Sequence, residues 1–136
     1  MKAEKLRASN DSGKKRTKKI LLVDDDEPTQ LYIRRMLQKA GYTVCIAENG
    51  RDCLCRLEQE EFDCVLMDIR MPVMDGMETT RQIRTVDNGC RDTPVIALTA
   101  YVSSEARETF LQAGMDDFIP KPTDNHTLLN TLKKYL

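Results

Sequence analysis

Short apolar runs recur along the chain, and polar residues follow each of them. These runs predict five strands, at 20–23, 42–47, 64–68, 94–98 and 117–120. The run from Cys64 to Met67 has no alternation of apolar and polar positions, which is typical of a strand buried on both faces in a parallel sheet. Asp68 follows this run directly. Because ligands bind outside the carboxyl ends of parallel strands, we expect Asp68 at the mouth of a site.

Between the strands, apolar residues recur at the spacing of helices. Asp26 is a predicted N-cap, Pro28 suits the first helical turn, and Gly41 is expected to end this first helix. Its expected buried face consists of Ile33, Met36, Leu37 and Ala40. Four further helices are predicted, namely one after a turn at Asn49-Gly50, one from Asp75-Gly76 to near Asn88-Gly89, one capped by Ser103 or Ser104, and one opened by Thr123.

Strands that alternate with helices in this way indicate an α/β protein. The connections are expected to be right-handed βαβ crossovers, which give a parallel sheet covered by helices on both faces. Pro120 has no N–H group to donate to a neighbour, so the fifth strand is expected at an edge of the sheet. The length of 136 residues is enough for one domain with a substantial core.

Charge separates the first nineteen residues from the rest. Residues 1–19 hold eight Lys or Arg and two Asp or Glu, whereas the whole chain has a net charge of −1. Residues 20–136 are therefore acidic, which disfavours nucleic-acid binding by the folded part. The basic segment is poor in apolar residues and is expected to stay unfolded, as a solvated tail or linker. A contact with nucleic acid or anionic lipid is the alternative for this segment.

The cysteines and the absence of long apolar runs indicate a cytoplasmic protein. The chain has five cysteines, an odd number, without paired C-x-x-C spacing. They are expected to be reduced thiols and not a disulfide framework or a zinc site, with Cys64 as a small core residue. The sequence shows no signal-peptide core and no run of about eighteen apolar residues, so no membrane insertion is expected.

Polar side chains of opposite charge follow four of the predicted strands. They are Asp24 and Asp25 after the first, Asp68 at the third, Thr99 at the fourth and Lys121 after the fifth. In a parallel sheet these positions lie at the same end, so three carboxylates are expected to crowd one crevice and raise each other's pKa. A hard divalent cation relieves this repulsion. Oxygen ligands without His or Cys favour Mg²⁺, with Mn²⁺ as a substitute.

Lys121 and Thr99 add an ammonium group and a hydroxyl group, which are expected to bind a phosphoryl group beside the metal ion. An ammonium group, a hydroxyl group and a metal ion together stabilise the three oxygens of a phosphoryl group. The expected reaction is attack by one of the carboxylates on phosphorus, which gives an acyl phosphate.

Four segments carry a resemblance to a known family: ILLVDDD, VLMDIRMPVMDG, PVIALTAY and FIPKP. Over residues 20–136 the chain resembles the receiver domain of two-component response regulators. The resemblance implies a flavodoxin-like (βα)5 fold with strand order 2-1-3-4-5. It also implies a phosphorelay signalling domain that takes a phosphoryl group from a histidine kinase or a histidine phosphotransfer domain. Such a domain catalyses its own phosphorylation and slow dephosphorylation but is not an enzyme with an external substrate to turn over.

The same resemblance implies a role for each residue at the acidic crevice. Asp68 would be the phosphoacceptor. Asp25 would bind Mg²⁺ directly and Asp24 would help through water. The backbone carbonyl of Arg70 would complete the set of metal ligands.

The resemblance also implies how the phosphoryl group is held and sensed. Thr99 and Lys121 would grip it, with the Lys121–Pro122 bond in the cis form. Phe118 occupies the position of a switch aromatic residue, which would move towards Thr99. The changed surface would span the fourth helix, the fifth strand and the fifth helix, and would bind a downstream protein or a second copy of the chain.

Two bulky side chains, Arg70 and Tyr101, are expected to flank the approach of water to an acyl phosphate. Their steric exclusion of water predicts slow self-dephosphorylation, on the order of minutes or longer. Small residues at both positions should speed the loss.

Two alternatives remain beside the receiver interpretation. The Asp24-Asp25-Asp26 run also fits haloacid-dehalogenase-like phosphatases, with Asp24 as nucleophile and Asp26 as general acid. That hypothesis gives no role to the D-x-x-M-P-x-M-D-G segment. A scaffold that is never phosphorylated is the other hypothesis. No DNA-binding output segment is expected in this chain, and both a stand-alone receiver and the receiver of a hybrid histidine kinase remain open.

Overall fold

The computed structural model describes residues 17–71, 74–85, 92–100 and 103–136. Over these ranges five strands alternate with five helices, so the predicted α/β class is confirmed. The elements are β1 (Lys19–Val23), α1 (Glu27–Lys39), β2 (Thr43–Ala47), α2 (Gly50–Gln59), β3 (Cys64–Asp68), α3 (Gly76–Thr85), β4 (Val95–Thr99), α4 (Ser104–Gln112), β5 (Asp117–Pro120) and α5 (Asn125–Lys133).

The strands form one parallel sheet in the order β2-β1-β3-β4-β5. This is the flavodoxin-like order that the resemblance implies. β5 lies at an edge of the sheet, as the missing N–H of Pro120 predicts. Asp68 is level with Leu98 in β4, and Thr99 is level with Pro120 in β5. The polar residues at the strand ends therefore meet at one end of the sheet.

Residues of the central strands alternate between two apolar layers. On one face, Val65 and Met67 pack with apolar residues of α2, α3 and α4. On the other face, Leu22 and Leu66 pack with apolar residues of α1 and α5. Every residue of β3 is buried, which explains why its apolar run does not alternate. The first and last helices therefore lie on the same face of the sheet.

Side-chain caps set where the helices begin. The Asp26 carboxylate accepts a hydrogen bond from the backbone N–H of Thr29 at 3.0 Å, so the predicted N-cap of α1 is confirmed. Ser103 caps α4 in the same way. Gly41 follows α1 with a φ of 98°, a left-handed conformation that favours glycine and ends the helix.

Three predictions at helix ends are wrong, and the strands predicted at 20–23, 42–47 and 94–98 differ by one residue from the observed Lys19–Val23, Thr43–Ala47 and Val95–Thr99. Asn49 caps α2 and Gly50 is its first residue, so this pair starts a helix and is not a separate turn. Asp124, and not Thr123, caps α5. Ala40 is the C-cap of α1 and is exposed, so the buried face of this helix does not extend to it. The predicted extension of α3 to Asn88-Gly89 lies outside the described residues.

Cys64 belongs to the apolar layer beneath α1 and α5, as predicted for a small core residue. Burial raises the pKa of its thiol to about 12. Within the described ranges Cys45, Cys53, Cys55 and Cys64 form no disulfide. No helix in these ranges is both long and apolar enough to cross a membrane.

Candidate functional site

Three carboxylates converge at the carboxyl-terminal end of the sheet. One carboxylate oxygen each of Asp24, Asp25 and Asp68 lies within 4.8 Å of the others. Asp24 directly follows β1, and Asp68 ends the neighbouring strand β3. The pairing of these two central strands therefore sets the separation of their carboxylates, and the structure brings together the acids that the sequence singles out.

Asp24 is fully buried and is held by several contacts. Its Oδ1 accepts a hydrogen bond from the backbone N–H of Asp26 at 2.9 Å, and its backbone carbonyl accepts one from the Gln30 side-chain amide at 2.6 Å. Its Oδ2 lies 3.1 Å from Lys121 Nζ, but no well-directed hydrogen bond reaches this oxygen. A buried carboxylate oxygen in this state retains lone pairs for a cation or a water molecule.

Asp68 is nearly buried and pairs with Lys121 across the crevice. Lys121 Nζ lies 3.1 Å from Asp68 Oδ1, and the backbone N–H of Arg70 also donates to the Asp68 carboxylate. Burial, and then the negative charge of Asp24, raise the pKa of Asp68 to about 6, against the opposing effect of Lys121. The anionic form of Asp68 is therefore destabilised in the metal-free site.

Lys121 connects this site to the edge of the sheet. Its backbone N–H donates to the carbonyl of Thr99 at 2.7 Å, and its peptide bond to Pro122 is cis, as the resemblance implies. Burial acts to lower the pKa of its ammonium group, but Asp24 and Asp68 outweigh burial and raise it above the ordinary value. The ammonium group therefore stays charged between the two carboxylates.

Thr99 and Phe118 lie on neighbouring strands beside the crevice. Thr99 is buried at the end of β4. Phe118 is level with Ala97 of β4 and packs, partly buried, against the apolar layer beneath α2, α3 and α4. Because side chains alternate along a strand, Ala97 and Thr99 are on the same face of the sheet. Thr99 and Phe118 are therefore diagonal neighbours on one face of the sheet.

Two described residues named by the sequence analysis, Asp26 and Arg70, do not belong to the carboxylate cluster. Asp26 is exposed, and the hydroxyl and N–H groups of Thr29 donate to its carboxylate and lower its pKa. Arg70 is exposed and lines a cleft of about 550 Å³ beside Asp25. Tyr101 lies outside the described residues. Asp26 is accordingly a helix cap in this structure.

The donor atoms at the crevice fit a hard divalent cation. The clustered side chains offer carboxylate oxygens and neither imidazole nor thiolate, a set that suits Mg²⁺. The Oδ2 atom of Asp24 is buried without a hydrogen bond, and Asp25 is exposed. An ion held here would have protein oxygens on its inner side and space for water or phosphate on its outer side.

Sequence analysis did not identify the support that Gln30 and Gly76 give to the site. Gln30 looks like any polar helix residue, and its partner, the Asp24 carbonyl, lies six positions earlier. A Cβ atom at Gly76 would lie only 2.3 Å from the carbonyl oxygen of Asp68, so glycine allows α3 to begin directly against β3. The Asp75-Gly76 pair predicted where α3 begins, but it gave no indication that α3 begins so close to the backbone of β3.

The raised pKa of Asp68 predicts a pH-dependent stability of the metal-free protein. Because the folded pKa of about 6 exceeds the ordinary value of 3.8, the folded state retains the proton to higher pH, and the free energy of unfolding should fall as pH rises between these values. Asp68→Asn removes this titration, so above pH 6 the variant should be more stable by roughly 1–3 kcal/mol. Urea unfolding in EDTA across this pH range measures the difference. Equal stability of wild type and variant at pH 7.5 would contradict the prediction.

Comparisons with known proteins agree with this geometry. The family model for the response regulator receiver domain matches residues 20–133. The response regulator MprA of Mycolicibacterium vanbaalenii is 38% identical over 87% of this chain and 50% of its own length. This chain spans half or less of the length of MprA and of two histidine kinases that it also matches.

Two solved structures show the same fold. The chemotaxis protein CheY4 of Vibrio cholerae has a TM-score of 0.84 and 33% identity, covering 89% of this chain and 100% of that one. The receiver domain of the sensor histidine kinase PA1611 from Pseudomonas aeruginosa PAO1 has a TM-score of 0.81 and 39% identity, covering 88% and 98%. Its structure contains a magnesium ion coordinated in the active-site cleft.

The haloacid-dehalogenase-like alternative receives no support from these comparisons. Its proposed nucleophile, Asp24, is fully buried and its proposed general acid, Asp26, caps α1. The fold, the acidic crevice and the family match over residues 20–133 lead to one assignment. The chain belongs to the family of response regulator receiver domains, the signalling domains of two-component systems.

Proposed function

We propose that this receiver domain accepts a phosphoryl group on Asp68 from a histidine kinase or a histidine phosphotransfer domain. The observation that carries the proposal is the meeting of Asp24, Asp25 and Asp68 with Lys121 at the strand ends. Asp68 is the acid that ends β3, and its Oδ1 lies 3.1 Å from the only ammonium group that the described residues place in this cluster. This arrangement suits both a nucleophile and a charged phosphoryl group.

Mg²⁺, or Mn²⁺ as a substitute, is the proposed cofactor. Asp25, Asp68 and the backbone carbonyl of Arg70 would bind it directly, and Asp24 would bind through a water molecule. When bound, the ion would neutralise charge on the phosphoryl oxygens. The magnesium in the cleft of the PA1611 receiver supports this choice of ion.

In the proposed reaction an Asp68 carboxylate oxygen forms a bond to phosphorus while the phosphorus–nitrogen bond of the donor phosphohistidine breaks. The imidazole leaves with the electron pair of that bond. Lys121 lies beside the attacked group and offsets its negative charge, and Thr99 supplies a hydroxyl donor. Arg70 and Tyr101 would hinder the later attack of water, which would make loss of the phosphoryl group slow.

The proposal is tested by phosphorylation with acetyl phosphate or with a phosphorylated histidine kinase. We expect one phosphoryl group per chain by intact mass, formed with Mg²⁺ but not in EDTA, and released by hydroxylamine as an acyl phosphate is. Peptide mapping should place the label on the peptide that contains β3. A hydroxylamine-resistant label, or no label after prolonged incubation with Mg²⁺ and donor, would refute the function.

The phosphorylated form is proposed to bind its target through α4, β5 and α5. A downstream protein or a second copy of the chain would dock there, since an edge strand and its flanking helices offer a natural docking surface. Residues 1–19 are proposed to be a tail or linker outside the receiver at 20–136. The unpaired cysteine pattern supports a cytoplasmic location.

Thr99→Ala should uncouple phosphorylation from this surface. The variant keeps Asp68 and the acidic cluster, so it should still be labelled, but it lacks the hydroxyl group that would draw Thr99 towards the phosphoryl oxygens. NMR spectra with a beryllofluoride mimic should show large shifts at Phe118 and in α4 for wild type and small ones for Thr99→Ala. Thr80→Ala is the matched control, because Thr80 is also buried but donates to Gly76 within α3. Equal shifts in wild type and Thr99→Ala would contradict the switch.

A further inference from the structure

A side chain of α1 reaches across to the loop that follows Lys121. The Tyr32 hydroxyl donates a hydrogen bond to the backbone carbonyl of Thr123 at 2.9 Å, although the two residues are 91 positions apart. Thr123 is nearly buried, whereas Tyr32 is half exposed. An unpaired buried carbonyl is costly, so this bond favours one position of the β5–α5 loop, residues 121–124.

The β5–α5 loop connects the edge strand to α5, and its last residue, Asp124, caps that helix. It leaves β5, which pairs with β4 alone, and Pro122 has no N–H group to donate. At its start, Lys121 donates its backbone N–H to the Thr99 carbonyl at 2.7 Å. Two residues later, the Tyr32 hydroxyl holds the Thr123 carbonyl. One hydrogen bond therefore holds the loop at Lys121, whose ammonium group lies in the site, and a second holds it two residues later, at Thr123.

The distances around Lys121 show why the position of the β5–α5 loop matters for the site. Lys121 Nζ lies 3.1 Å from an oxygen of Asp24 and 3.1 Å from an oxygen of Asp68. Contact with both carboxylates at once limits how far the lysine backbone can lie from the site, because the four-carbon side chain has a fixed maximum reach. Electrostatic stabilisation in catalysis depends on groups that are already in place, so the position of this backbone matters for the reaction. A hydrogen bond two residues away restricts that position.

We propose that Tyr32 is a positioning residue for Lys121 in phosphoryl transfer to Asp68. Its hydroxyl, through the Thr123 carbonyl, keeps the β5–α5 loop where the Lys121 ammonium group meets the reacting phosphoryl group. The proposal rests on the function proposed above. It assigns to α1 a part in the reaction besides that of Gln30, whose amide holds the Asp24 carbonyl.

Tyr32→Phe tests the proposal, because it removes the hydroxyl and keeps the ring. The initial rate of Mg²⁺-dependent labelling by acetyl phosphate should fall about fivefold, the factor expected for one neutral hydrogen bond. The control is Tyr135→Phe, since the Tyr135 hydroxyl also contacts a backbone carbonyl, that of Asp116 at 3.1 Å, next to the start of β5, and it lies 3.0 Å from the Asp117 carboxylate as well. Tyr135→Phe should label at the wild-type rate.

A second readout separates positioning from a general loss of stability. The Lys121 backbone N–H should exchange with solvent faster in Tyr32→Phe than in wild type, and at the wild-type rate in Tyr135→Phe, under conditions where all three proteins are fully folded. A wild-type labelling rate, or unchanged exchange at Lys121, in Tyr32→Phe overturns the proposal, as does an equal slowing in both variants. Those outcomes leave the proposed function intact, whereas failure of the wild-type chain to be labelled refutes the function itself.

Discussion

Asp68→Asn should lower the rate of Mg²⁺-dependent phosphorylation by about a thousandfold or more, the scale expected when a nucleophile is lost. Asparagine keeps the shape of the side chain in the nearly buried site at the end of β3, so the fold should survive. The amide nitrogen carries no negative charge and cannot form the acyl phosphate. Intact mass after incubation with acetyl phosphate measures the loss directly.

The matched control for this prediction is Asp75→Asn. Asp75 lines the cleft beside Asp25 and Arg70, and its Oδ1 accepts a hydrogen bond from the Glu78 N–H. Asparagine can make the same capping bond, so Asp75→Asn should be labelled at a rate close to that of wild type. Labelling of Asp68→Asn at the wild-type rate would show that the acceptor is another residue.

Asp25→Ala should remove metal binding and phosphorylation together. In wild type, Mg²⁺ at about one hundred times its Kd should stabilise the fold by about 2.7 kcal/mol, which appears as a higher Tm. Asp25 belongs to the carboxylate cluster and is its exposed member, the one through which an ion would enter. Without it, the Tm should no longer respond to Mg²⁺, and a thermal shift titration checks this.

Asp26→Asn provides the control for the loss of one negative charge in the same run of acids. Asp26 caps α1 and lies outside the carboxylate cluster, and asparagine is an equally good cap. The Mg²⁺ response and the labelling rate of Asp26→Asn should therefore resemble those of wild type. A normal Mg²⁺ titration in Asp25→Ala would exclude Asp25 from the metal site.

The sequence predicted the central strands more accurately than the helix ends. β3 was predicted with its observed bounds because all five of its residues are buried and its run ends in a carboxylate. Ala40 was misplaced because a helical period does not show how far along the helix the buried face extends. Asn49-Gly50 was misread because asparagine followed by glycine suits both a turn and a helix start, and packing of α2 decides between them.

The site was predictable to the extent that its residues lie at strand ends. Parallel pairing brings Asp24 and Asp68 together whatever the surrounding side chains are. The contacts of Gln30 and Tyr32 were not predictable, because each depends on how α1 is placed against a loop or strand end. Hydrogen bonds between residues as far apart in sequence as Tyr32 and Thr123 produce no periodic pattern that could be used to predict them.

The strand order also divides the site into a part on central strands and a part that follows an edge strand, and we expect the two parts to differ in how easily they open locally. The clustered acids are carried by β1 and β3, which have strand neighbours on both sides, whereas Lys121 follows the four-residue edge strand β5. Local opening of a structure begins where few contacts must be broken, so we expect the edge strand β5 to open more often than β1 and β3, which amide hydrogen exchange would show. If the proposed function holds, such openings would separate the Lys121 ammonium group from the acids while the acids stay together. Loss of the ammonium group from the site and unfolding of the sheet would then have separate energetic costs.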